Sequence, residues 1–122
     1  EIKVFQTYYE AVNLNKFNFK NDYLIFSGIG NPNNFRNILI KNNFNVIDEI
    51  IFPDHYKYKQ EDIEKIKLKA KKLNAKIITT EKDYVKLSEK DTNNIEFLEI
   101  DLKIKNERDL INFINPIINE KY

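Results

Sequence analysis

Three short stretches hold most of the residues that could do chemistry: Ser27-Gly28-Ile29-Gly30-Asn31-Pro32, Phe52-Pro53-Asp54-His55-Tyr56 and Thr79-Thr80-Glu81-Lys82-Asp83. His55 is the only histidine, the side-chain type whose ordinary pKa lies nearest neutrality. Beside the Asp54 carboxylate it could transfer a proton or tune another acid. A lone histidine is also commonly structural, and the residues alone leave the two roles open. Gly28-x-Gly30 could present backbone amides to a phosphate, or simply form a tight turn with positive φ at one or both glycines. Asp48 lies about twenty residues on, near the acidic position of a dinucleotide fingerprint. The third glycine of that pattern is replaced by Asn33. Thr80-x-x-Asp83 has capping-box spacing, and acids in a first helical turn suit the helix dipole. Capping therefore accounts for this stretch first, with Lys82 either a phosphate contact or a solvated cation.

These loops need strands to bring them together. Tyr23-Leu24-Ile25-Phe26 is a compact apolar run suited to a strand buried on both faces. Asn31 is placed to cap a following helix, with Pro32 as its first residue and Phe35, Ile38 and Leu39 on one face. Val46–Phe52 reads as a strand stopped by Pro53. Gln60–Leu73 reads as a helix with Ile63, Ile66, Ala70 and Leu73 inward, and Lys76–Ile78 as a short strand. A short helix through Tyr84, Val85 and Leu87 follows, then a strand over Ile95–Ile104. Leu110, Phe113, Ile114, Ile117 and Ile118 are spaced for a last helix interrupted at Pro116. Residues 2–12 read as an extended strand ahead of this alternation. Strands alternating with helices predict a Rossmann-like three-layer α/β domain with a mostly parallel sheet. The loops after parallel strands gather at one edge, where ligands bind, so Gly28, His55 and Thr80 should share a rim.

Composition narrows the function classes. A chain of 122 residues with 42% hydrophobic residues and a net charge of +1 suits one ordinary domain and offers no broad field for nucleic acid. Without cysteine there is no disulfide, thiolate nucleophile or zinc-thiolate site. No apolar run reaches the ~20 residues that span a bilayer. With two glycines the chain cannot contain the GxxxxGK[ST] loop that holds ATP phosphates. It lacks methionine and starts at Glu1, which is expected of a fragment that enters directly in strand-like sequence. Isoleucine, asparagine and lysine, at 19, 18 and 18 residues, all have A/T-rich codons. The lysines at 65, 67, 69, 71 and 72 are therefore read first as a solvated helix face, ahead of an anionic-lipid surface.

Taken in order, FSGIGNP with Phe35, FPDHY with Tyr58, and TTEKD with Val85-Lys86 resemble the C-terminal part of tetraacyldisaccharide 4'-kinase, the lipid A 4'-kinase of Gram-negative bacteria. The resemblance runs from Tyr23 to Lys86, with Val4-Phe5 similar to the strand leading in. It implies that residues 1–22 are a leading strand and linker from a missing N-terminal P-loop domain, and 23–122 the C-terminal α/β domain. It implies transfer of the ATP γ-phosphate, with Mg²⁺, to the 4'-hydroxyl of the tetraacyldisaccharide 1-phosphate precursor. The setting implied is the cytoplasmic face of the inner membrane, with the membrane surface as a partner. In the family the histidine of the PDH motif, here His55, works with a catalytic aspartate of the other domain. Asp54, Gly28, Gly30, Asn31, Thr80, Glu81, Lys82 and Asp83 fall on motif positions and become candidates for the substrate or interdomain cleft. Tyr56 stands where the family often has a second histidine, so no metal is expected here, and neither ATP nor Mg²⁺ is expected on this chain alone. The competing readings are an NAD(P)-type dinucleotide-binding domain using Gly28, Gly30 and Asp48, and a non-catalytic α/β interaction module.

Overall fold

A computed structural model describes residues 7–104, which fall into two compact units, 11–99 and residues 7–10 with 100–104. In the larger unit β2 (Asp22–Ser27), β3 (Asn45–Ile51), β4 (Lys76–Thr80) and β5 (Ile95–Leu98) form a four-stranded sheet in the order β3-β2-β4-β5. Every neighbouring pair is parallel. Helix α1 (Pro32–Lys41) joins β2 to β3, α2 (Gln60–Leu73) joins β3 to β4, and the single turn α3 (Glu81–Tyr84) follows β4. In the smaller unit β6 (Ile100–Ile104) pairs with the strand at Thr7–Ala11, β1.

The layering can be read from two adjacent residues of β3. Successive strand side chains point to opposite faces. Asp48 pairs with Lys69 of α2 at 2.9 Å, whereas Glu49 pairs with Arg36 of α1 at 2.8 Å. The two helices therefore cover opposite faces of the sheet, as the three-layer reading expects. On the α2 side Leu24, Phe26, Ile77 and Ile95 pack against Ile63, Ile66 and Ala70. Tyr23 points to the other side, where its ring meets Phe44 at 5.3 Å and Phe17 at 6.5 Å.

Local signals set the helix boundaries. Asn31 Oδ1 accepts from the Asn34 amide at 3.2 Å, with Pro32 opening α1. At the end of α2, Asn74 adopts φ 53°, and Asn43 and Asn94 also have positive φ. In a chain with two glycines, asparagine takes the left-handed positions that glycine usually fills. Part of the asparagine content is thus structural.

The expected strand over Ile95–Ile104 is divided at Glu99 into β5 and β6. The Asn13 side chain donates to Phe97 O at 2.9 Å and accepts from the Glu99 amide at 2.9 Å, while Val12 N donates to Glu99 O. These contacts engage Phe97 O on β5 and both backbone groups of Glu99, and the following strand β6 pairs in a different sheet. Residues 2–6 of the expected first strand, and the expected helix around Pro116, lie outside the described residues.

Candidate functional site

Because β2, β3 and β4 are parallel, the loops that follow them open on one rim, and the three motifs meet there. The chain leaves β2 toward β3 on one side and returns to β4 on the other, so β2 and β4 flank the point where strand order reverses. Ligands of open α/β sheets bind in the crevice at such a point.

In this protein a side chain of the chain itself fills that position. Asp83 has 0% exposure. Its Oδ2 accepts from the Gly28 amide at 3.0 Å and from Thr80 Oγ1 at 2.7 Å, and its Oδ1 accepts from the Tyr58 hydroxyl at 3.0 Å. Thr80 Oγ1 in turn accepts from the Asp83 amide at 3.0 Å, closing the N-cap of α3. Lys86 Nζ stands 3.6 Å from Oδ1 and supplies a counter-charge. Burial, and after it the Asp83 carboxylate, push the Tyr58 phenol above the ordinary tyrosine range, which keeps the hydroxyl protonated as a donor. One carboxylate thus ties together the loops after β2, β3 and β4.

The phosphate reading of the glycine loop is altered by this arrangement. The Gly28 amide already holds an anion, the Asp83 carboxylate. Neither glycine has a positive φ, so the tight-turn expectation also gives way. What the site requires is the missing Cβ. A Cβ on Gly28 would lie 3.1 Å from Pro53 O and 3.1 Å from the Tyr58 hydroxyl, and one on Gly30 3.2 Å from Asp54 Oδ2. Gly28→Ala should therefore lower stability by about 1–3 kcal/mol, the usual cost of overpacking, because a backbone carbonyl cannot swing aside. Gly30→Ala should cost less, since the exposed Asp54 carboxylate can move. Thermal melts of the two variants would check this, and equal melts would contradict it.

His55 sits on a tight turn. The Tyr56 amide donates to Pro53 O at 3.1 Å, and His55 has φ 60°, the conformation a type II turn demands at its third position and usually assigns to glycine or asparagine. Its side chain is 77% exposed, with Nε2 3.6 Å from Asp54 Oδ2, longer than a direct hydrogen bond. The residues around the turn are firmly held. Before it, the Phe52 amide donates to Ser27 O at 2.8 Å. After it, the Tyr56 hydroxyl and the Lys59 amide both donate to Asp62 Oδ2, at 2.8 and 2.9 Å. The Lys59 amide, then the Tyr56 hydroxyl, hold the Asp62 carboxyl below its ordinary value, and the Asp62 hydrogen bond raises the Tyr56 phenol. Tyr58 rests edge-on against Phe26 at 5.5 Å and Phe52 at 5.1 Å. Beside the turn, His55, Tyr56, Lys57, Tyr58 and Lys86 line a cleft of about 320 Å³.

The remaining candidates divide clearly. Thr80 is 7% exposed and belongs with Asp83 to the frame under the rim. Glu81, Lys82 and Asp54 are exposed on it. Asn31 is exposed, its side-chain oxygen engaged in capping α1. Asp48 does not join them: it lies within β3, in register with Leu24, where the Lys69 hydrogen bond, then the Glu49 amide, lower its pKa. Tyr58 and Lys86, which carried no assigned role in the sequence, prove to be central. Among the described residues, no three His, Asp or Glu side chains are grouped to hold a metal ion, and no helix is long and apolar enough to cross a membrane.

A family model described as tetraacyldisaccharide-1-P 4'-kinase matches residues 4–119. The chain belongs to that family. Curated relatives named tetraacyldisaccharide 4'-kinase include one from Pelagibacter ubique, 40% identical over 113 residues, covering 93% of this chain and 36% of the relative. One from Rickettsia bellii is 47% identical over 85 residues, covering 70% and 26%. The chain thus spans about a quarter to a third of the length of the relatives it matches. A solved structure of LpxK from Aquifex aeolicus in complex with ATP superposes with a TM-score of 0.58 at 24% identity, over 93% of this chain and 36% of that one. It shares the fold.

Proposed function

We propose that the chain is the C-terminal α/β portion of an ATP-dependent kinase that phosphorylates the 4'-hydroxyl of the tetraacyldisaccharide 1-phosphate precursor in lipid A biosynthesis. The observation that carries this reading is the family match across residues 4–119. The exposed His55 at the sheet rim supports it. Residues 1–22 then lead in from an N-terminal P-loop domain, and the whole enzyme works at the cytoplasmic face of the inner membrane.

Among the described residues, neither ATP nor Mg²⁺ has an evident holder. The Gly28 amide is occupied by Asp83, and no acid cluster is grouped for a metal. Both are expected on the P-loop domain that membership of the kinase family implies. For its own part the chain supplies His55. Its imidazole, held out from the rim on a hydrogen-bonded turn, takes or orients the proton of the attacking hydroxyl together with an aspartate of that domain. Phosphoryl transfer depends mostly on positioning and charge neutralisation, with a base or orienting group at the nucleophile.

The dinucleotide alternative loses its support at both ends, with Gly28 bonded to Asp83 and Asp48 paired to Lys69 away from the rim. The test is phosphoryl transfer from ATP, with Mg²⁺, to tetraacyldisaccharide 1-phosphate by the full-length protein and by this chain alone. A 4'-phosphorylated product from the former and none from the latter is expected. Transfer by the chain alone would overturn the division of labour, and no transfer by the full-length protein would overturn the kinase reading.

A further inference from the structure

His55 combines an exposed side chain with a backbone that ordinary residues avoid. A non-glycine residue at φ 60° is held at some cost in strain and persists only where its surroundings over-determine it. Two sets of contacts do so here. On one flank the strand end is fixed to Ser27 O and the Pro53 carbonyl lies against Gly28. On the other, the chain returns through Tyr58, whose hydroxyl donates to the buried Asp83, the same carboxylate that holds Gly28 from below. Gly28, Asp83 and Tyr58 form a closed brace around the root of the turn. His55 itself makes no direct hydrogen bond among the described residues. Its position is therefore set through the loop.

Resting on the kinase reading above, the geometry points to Tyr58 as a positioning residue: through its hydroxyl bond to Asp83 it fixes where His55 meets the substrate hydroxyl. The Tyr58 ring packs against Phe26 and Phe52, so the hydroxyl can be removed without emptying the core. Tyr58→Phe keeps the ring and releases the loop from Asp83. A displacement of about 1 Å at a reacting group can cost on the order of 100-fold in rate.

The test is a double-mutant cycle in the full-length protein, reading 4'-phosphorylation of tetraacyldisaccharide 1-phosphate with thermal melts alongside. Tyr58→Phe is expected to lower kcat by about 10- to 100-fold with KM for ATP little changed. In a His55→Ala background the same substitution is expected to lower kcat no further, because its effect passes through the imidazole. Equal losses in both backgrounds, or an unchanged kcat, would overturn the proposal. Asp83→Asn provides a second entrance to the same coupling. It keeps two polar atoms in place but weakens the charge-assisted bond, and its kcat loss should likewise vanish without His55. If His55→Ala alone retains full activity, the role given to His55 falls and the positioning role falls with it. Loss of coupling while His55→Ala remains impaired removes Tyr58 only.

Discussion

Asp83→Ala is expected to cost about 3 kcal/mol or more, because one buried carboxylate is the shared acceptor of three donors. The Gly28 amide and the Tyr58 and Thr80 hydroxyls would lose their acceptor together. A buried donor left unsatisfied costs about 1–3 kcal/mol, and such losses in one network do not simply add. Against the 5–15 kcal/mol that holds an ordinary domain, this is a large fraction. Asp83→Asn should be much milder. Its amide oxygen can occupy the Oδ2 position and accept from Gly28 and Thr80, and its amide nitrogen can donate to the Tyr58 oxygen, which is able to accept. Denaturant unfolding of the wild type and both variants within the full-length protein would separate these cases. An alanine variant as stable as the wild type would show that the carboxylate does not bind the three loops together.

Much of the fold was legible because the signals for it are local. The Asn31-Pro32 start of α1 and the span Gln60–Leu73 of α2 both follow from capping and 3.6-residue periodicity, and both appear as expected. Four parallel strands follow from the alternation, and parallel strands place the three loops on one rim. The parts that escaped depend on partners far along the chain. The break at Glu99 is fixed by Asn13, 86 residues earlier. Nothing in the sequence around residue 99 signals it.

The same limit applies to the site. Glycine suggests unusual φ, yet Gly28 is needed for clearance from Pro53 O and the Tyr58 hydroxyl, neighbours the sequence cannot supply. Thr80-x-x-Asp83 was legible as a cap, and Thr80 does cap Asp83 N. That the Asp83 carboxylate would turn instead to Gly28 and Tyr58 was not, since those residues lie 55 and 25 positions away. A buried tyrosine hydroxyl must find an acceptor, which is the one general clue that Tyr58 had a polar task. For His55 the sequence left catalytic and structural roles open. Its exposure weighs against a role in the core, because little packing would be lost on removing it.

That exposure makes His55→Ala the most direct test of the account. Steady-state kinetics of 4'-phosphorylation by the full-length protein, measured beside its thermal melt, should show kcat lowered by ~10²–10⁴-fold or somewhat less, the scale of general acid–base contributions. The smaller losses apply if the partner aspartate retains part of the function. The melt should stay close to the wild type, because the side chain is 77% exposed and its nearest charged partner is an exposed aspartate at 3.6 Å. An unchanged kcat with an unchanged melt would remove His55 from the mechanism, and a lowered melt with a proportional loss of activity would make it a structural residue.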